Sequence, residues 1–243
     1  MRSTRAILVG EGALEFLLES IQRGVYVFHV PYQTTELFLS YLTLLAGFTI
    51  VENIVYRGQS GGCGVNPRRI RREICRLVRL RSITSPCIRV FVAVTGSELV
   101  EGIASLPLAF TATTLSMNFL CADGFCIAYP GLTLRRRGWF QPSRASSVEL
   151  CNSSERNFDM CNSARLWDLD RHGTPRHCSR SWLAPCVARS FGDGGCITVR
   201  FYSGSDIPGL GVGWLRGGAP VCPNHRRVVC QVHRPDCNCV IDS

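Results

Sequence analysis

The chain contains no lysine: all 27 of its basic residues are arginine. Lysine is ordinarily one of the commonest residues, so the bias is strong, and it fits a GC-rich coding region. Without lysine the glycine cluster Gly58–Gly64 cannot supply the Lys-Ser/Thr pair of a phosphate loop and reads as a turn. Charge is sparse, at 19% of residues against 46% hydrophobic, which excludes a disordered or collagen-like chain. The sequence shows no internal repeat and no long low-complexity segment. The first residues do not read as a clean secretory leader, because Glu11, Glu15 and Glu19 interrupt any apolar stretch there. Aspartate is absent from residues 1–120, which hold one histidine and three cysteines.

What is present divides in two. Residues 1–120 are rich in Leu, Val, Ile and Phe. Residues 121–243 hold 11 of the 14 cysteines, four of the five histidines and much of the Gly, Pro and Ser. The shift near Cys121 marks the expected boundary. The formal net charge is +9.

In the first part, four stretches read as helix: Ala6–Ile21, Glu36–Tyr56, Arg68–Leu80 and the mostly apolar Ile88–Leu120. Thr34 or Thr35 is placed to cap the second helix. Leu37–Val51 has no charge in fifteen residues and Gly102–Leu120 none in nineteen, close to the length of a membrane span. The expected fold is therefore mainly α: a helical membrane bundle over 1–120, with membrane localisation, and an irregular Cys/Arg-rich part over 121–243. Arg68–Arg81 would be a basic loop or interfacial helix.

The sharpest local pattern is Phe48-Thr-Ile-Val-Glu52-Asn53-Ile-Val-Tyr56. On a helix, Phe48, Glu52 and Tyr56 share a face with Asn53 beside them. A carboxylate next to an amide can hold a metal or polarise a water. This Phe-x-x-x-Glu-Asn-x-x-Tyr pattern resembles the second motif of the PrsW-type intramembrane metalloproteases. Glu11 to Phe16 stands 37 residues upstream, near the place of the family's Glu-Glu-x-x-Lys motif, and Ser40–Gly47 resembles the small-residue run before the second motif. Arg89–Leu99 has the shape of the third motif. The resemblance covers about residues 8–115. It implies hydrolysis of a peptide bond in or near a membrane, with Glu11, Glu52 and Asn53 as the catalytic group. A zinc or other divalent ion would sit on Glu11, Glu52 and Glu98, and the partners would be the bilayer and a membrane-protein substrate rather than nucleic acid. The chain departs from the family at Gly12, Glu15 and Ser97, where the second Glu, the Lys and the His belong. The resemblance is thus to a degenerate member with reduced or absent activity.

The second part carries Cys222, His225, Cys230, His233, Cys237 and Cys239 within 18 residues. Two Cys-x2-His spacings suit zinc. The same cysteines suit disulfides, and the joint rise of Cys, Arg, Ser, Gly and Trp also fits a poorly ordered tail read from a non-native frame. The alternative function is accordingly a non-enzymatic Cys/His-rich basic module, stabilised by zinc or disulfides, that contacts RNA or a protein partner through Arg226, Arg227 and Arg234. Asp168, Asp170, His172 and His177 read as a polar loop. Cys126, Cys178 and Cys196 have no Cys or His nearby in sequence that would mark a nucleophile.

Overall fold

The computed structural model describes residues 1–18, 24–56, 74–85, 87–96, 102–140, 157–162, 188–204, 206–215 and 219–220. The predicted long helix over Glu36–Tyr56 does not form. The chain runs as a short helix, α2 (Thr35–Ser40), continues as a π-helical turn (Tyr41–Leu45), and then changes state. Gly47 takes a left-handed backbone with φ of 69°, which ends the helical run. Beyond it lie Thr49, Ile50, Val51, Ile54 and Val55, whose β-branched side chains favour a pleated surface. They form strand β3 (Phe48–Val55).

Two other segments resolve in the same way. Within Arg68–Leu80 the described residues belong to β4 (Ile74–Ser82), where Val78, Leu80 and Ser82 alternate inward and Arg79 and Arg81 outward. In Ile88–Leu120 the Val-rich start is β5 (Arg89–Thr95). Two 3-10 segments follow, Leu106–Phe110 with Pro107 in its first turn and Leu115–Met117, and then β6 (Phe119–Leu120). Proline in that position starts a helical turn but cannot lie inside a long one. The segment Ala6–Ile21 is part strand, β1 (Ile7–Val9), and part helix, α1 (Gly10–Leu18).

The main sheet has eight strands in the order β11–β7–β6–β1–β2–β5–β4–β3. Here β2 is Val25–Pro31, β7 is Gly124–Ile127 and β11 is Ile197–Arg200. All neighbours are antiparallel except β2 and β5, which are parallel and in register from Val25↔Arg89 to Pro31↔Thr95. The sheet takes strands from both sides of position 120. Two small sheets accompany it: β8 (Arg137–Trp139) with β9 (Asp159–Cys161), and β10 (Ala188–Ser190) with β12 (Gly213–Leu215) and β13 (Ala219–Pro220). A four-residue helix, α3 (Pro130–Thr133), leads into β8.

Each face of the sheet carries its own core. On one face α2 and the π turn set Phe38, Leu39 and Leu42 against Val30, Val78, Leu80, Val90, Val92 and Val94. The opposite face packs Ile7, Val9, Phe119 and Cys126 against Leu108, Phe110, Phe191 and Trp214. This two-sided burial explains why β2 and β5 read as continuous apolar runs.

The mainly α fold is thus corrected to a mainly β one. The helical membrane bundle over 1–120 is replaced by strands, and no helix among the described residues is long and apolar enough to cross a membrane. The expected transmembrane helices, and the membrane localisation that rested on them, are withdrawn on that finding. The two charge-free runs have another cause: Leu37–Val51 makes a helix–turn–strand unit, and Gly102–Leu120 makes 3-10 turns buried under the sheet.

Candidate functional site

The densest chemistry among the described residues lies where β7 meets β11. The two strands pair antiparallel with Cys126 opposite Thr198. Gly124 allows the approach, since a Cβ there would stand 2.1 Å from the Val199 carbonyl oxygen. Ahead of β11 the chain Ser190–Cys196 folds back on itself. Asp193 accepts hydrogen bonds from the amides of Ser190 (3.0 Å) and Gly195 (2.9 Å), and the Cys196 amide donates to the Asp193 carbonyl at 3.1 Å. The Asp193-Gly194-Gly195 run suits such a turn. Cys196 lies two positions from Thr198, so it shares a sheet face with Cys126 and sits diagonal to it.

The two thiols face the same turn, Cys126 bonding the Phe191 carbonyl and Cys196 the Ser190 carbonyl. Cys126 is fully buried and its Sγ donates to the Phe191 carbonyl at 3.2 Å. Cys196 is half-buried and its Sγ lies 3.3 Å from the Ser190 carbonyl oxygen and 3.6 Å from that of Ala128. Thr198 Oγ1 approaches Cys126 Sγ at 3.8 Å.

Arg189, only 2% exposed, closes the cluster from β10. Its Nε donates to Asp193 Oδ2 at 2.5 Å and its Nη2 to Asp193 Oδ1 at 3.0 Å, a bidentate fork. The same Nη2 reaches the Ala128 carbonyl at 3.0 Å and Cys196 Sγ at 3.3 Å. The guanidinium lies 4.9 Å from the centre of the Tyr129 ring and 5.8 Å from that of Trp214, and Trp214 Nε1 donates to Tyr129 Oη at 2.9 Å. Burial raises the Asp193 carboxyl, but the Arg189 fork and the two amides outweigh it and hold the group below the usual carboxylate range.

The two thiols titrate as a coupled pair: their mutual interaction and burial act on both, and Arg189, 3.3 Å from Cys196 Sγ, favours a thiolate there. Charge sets what the site tolerates: Arg189 and Asp193 cancel each other, so the cluster is neutral when both sulfurs are neutral. A dithiol and a disulfide both meet that condition. A standing dithiolate would leave buried negative charge without a partner.

The residues singled out from sequence lie elsewhere. Glu52 and Asn53 are on β3 at the far edge of the sheet, where Glu52 Oε2 stands 3.8 Å from Arg79 Nη1 and Asn53 accepts from Arg76 Nε at 2.9 Å. Glu11 lies in the first turn of α1, next to the middle of the sheet. Glu98 lies outside the described residues, as do Asp168, Asp170, His172, His177, Cys178 and the Cys222–Cys239 cluster. The structure does not bring Glu11 and Glu52 together, and no group of three or more metal-ligating side chains occurs among the described residues. Glu15 is buried in α1 and, after burial itself, raises the Tyr26 phenol.

Two further features lie apart from the thiol pair. A cavity of about 570 Å³ at the other end of β7 is lined by Arg2, Arg5, Cys121, Asp123, Tyr202 and Asp206. Arg2 already donates to Asp123 at 2.7 Å and lies 5.0 Å from the Tyr202 ring centre. Burial raises the Cys121 thiol, which donates to the Gly124 carbonyl at 3.2 Å. His29 is buried in β2, donates from Nδ1 to the Ala104 carbonyl at 3.0 Å, and is pushed down to about 4 by burial, so it is neutral and structural.

Sequence reasoning passed over this cluster. Cys126 and Cys196 carry no local partner, and Arg189 and Asp193 belong to no motif. The only signal was the Asp-Gly-Gly turn ahead of Cys196, which shows that the chain reverses but not what it meets. No family model matches the chain, and no curated protein matches it.

Proposed function

We propose that the protein is a redox-responsive thiol protein whose working centre is the Cys126–Cys196 pair, and that its oxidant is a hydroperoxide. The observation that carries this reading is that the two thiols bond adjacent carbonyls of one turn, Cys126 that of Phe191 and Cys196 that of Ser190, inside a cluster that stays neutral in both the dithiol and the disulfide state. Cys196, half-buried and 3.3 Å from Arg189 Nη2, gives up its proton and attacks the peroxide oxygen. The O–O bond breaks, and the leaving oxygen departs as water or an alcohol with that proton. Cys126 then attacks the Cys196 sulfenic sulfur. The S–S bond forms, the S–O bond breaks, and the Cys126 proton leaves with the hydroxyl as a second water. Two thiols have lost two electrons and the peroxide has gained them. Arg189 Nη2, at 3.3 Å from Cys196 Sγ, stabilises that sulfur as it loses its proton. A bridge across a strand diagonal departs from relaxed disulfide geometry, so a small thiol reduces it readily.

The test is a hydrogen peroxide titration of the reduced full-length chain, followed by peptide mapping of disulfides. The expected result is a Cys126–Cys196 link formed before any other. Cys126→Ser should instead leave a Cys196 sulfenic acid that dimedone traps. Oxidation elsewhere with these two thiols still free would overturn the proposal.

A further inference from the structure

Strand β3 ends the eight-stranded sheet, and no strand among the described residues pairs with its outer side. Six of its eight residues are exposed, among them Ile50, Val51 and Val55 at 46%, 51% and 65%. Beside it, α2 and the π turn bury Phe38, Leu39 and Leu42 and turn Leu37, Tyr41, Leu44 and Leu45 outward, with Leu44 and Leu45 at 80% and 78% exposure. Ile83 completes the patch: its amide donates to the Gly47 carbonyl at 3.0 Å, and its side chain is exposed.

Edge strands are normally shielded by charge, proline or a covering element. Here the shielding amounts to Glu52 and one bulge, at the register break between Ile50 and Glu52. Monomeric proteins seldom leave contiguous apolar patches larger than a few hundred Å². Eight large apolar side chains at roughly 100 Å² apiece come to on the order of 800 Å², the share one partner contributes to a standard interface.

We infer that this edge is the interface of a symmetric dimer, in which β3 pairs antiparallel with β3 of a second copy and the α2 faces close over the seam. Two observations select a second copy. The area is of the order that one side of a stable dimer contributes. The opposite edge, β11, also exposes Ile197 and Val199, but β3-to-β11 pairing is head-to-tail and would run on into a filament, whereas β3-to-β3 pairing closes.

The test is the mass of the full-length chain by light scattering and sedimentation across micromolar concentrations. A thiol reductant is kept present so that the exposed Cys87 cannot link chains. The expected mass is twice the 26.9 kDa of one chain. Leu44→Glu/Leu45→Glu and, separately, Val55→Lys change only exposed side chains, so both should keep the wild-type circular dichroism. Each should weaken dimerisation by at least about 30-fold, as loss of an interface anchor does. A monomer at every concentration, a dimer indifferent to both variants, or open-ended polymers would each overturn the inference.

Discussion

Among the buried polar groups of the described residues, Arg189, Asn118 and His29 are each held by a named partner. Arg189 is neutralised by the Asp193 fork, Asn118 bridges the Leu115 carbonyl and the Ala128 amide, and His29 donates to Ala104. His29 gives the clearest pH signature. Its folded value is about 4, below the ordinary 6.5, because burial disfavours the charged ring. The unfolded chain therefore binds a proton at a higher pH than the folded one. The stability His29 contributes is fully present above pH 6.5 and is lost as pH falls toward 4, by up to roughly 3 kcal/mol. Urea unfolding at pH 7 and pH 4.5 should show this fall. His29→Gln, which can still donate to Ala104, should flatten that part of the profile. An unchanged profile would mean the ring is more accessible than its burial indicates.

At the scale of elements, two glycines do different work. Gly47 supplies a left-handed turn between the π turn and β3, and a Cβ there would meet nothing within 4 Å. Gly47→Ala should cost about 1–2 kcal/mol, from backbone conformation alone. Gly124 has no positive φ but lies under the Val199 carbonyl. Gly124→Ala must push β7 away from β11 and should cost more than about 2 kcal/mol. The two variants also differ in the thiols. Separation of β7 from β11 moves Cys126 away from Cys196, so only Gly124→Ala should slow formation of the disulfide. Midpoints of urea unfolding and the rate of thiol loss in peroxide measure both effects.

For the whole molecule, the long-range pairings dominate. Strand β1 pairs with β6 more than a hundred residues later, and β7 pairs with β11 about seventy later. Such topology folds slowly, because distant segments must meet before any pairing is rewarded. A Cys126–Cys196 bridge would close a loop of about 70 residues and so restrict the unfolded chain. It should stabilise the oxidised protein by up to about 4 kcal/mol, less the strain of a diagonal bridge. Thermal unfolding of the oxidised and reduced chain should show the oxidised form melting higher, with the difference abolished in Cys126→Ser. A lower melting point on oxidation would mean that the bridge distorts β7 and β11 more than it restrains the unfolded state.

The sequence by itself determined where this chain is apolar, where it is punctuated and which positions are charged. Glu36 to Leu42 is helical as read, and the 14 cysteines call for an account. It did not determine the period of the apolar runs. Phe48, Glu52 and Tyr56 are four apart and share a face on a helix, while alternation serves a strand nearly as well. Only pairing with β4 and β5, which satisfies the backbone of β3 and β4, decided for strand. The Glu52-Asn53 pattern accordingly lies on an exposed edge rather than a helix face. The thiol pair was not legible at all. Cys126 and Cys196 are 70 residues apart, and Arg189 comes from a third strand in a second sheet. Their meeting follows from the register of β7 on β11 and the turn held by Asp193, contacts that no local spacing encodes.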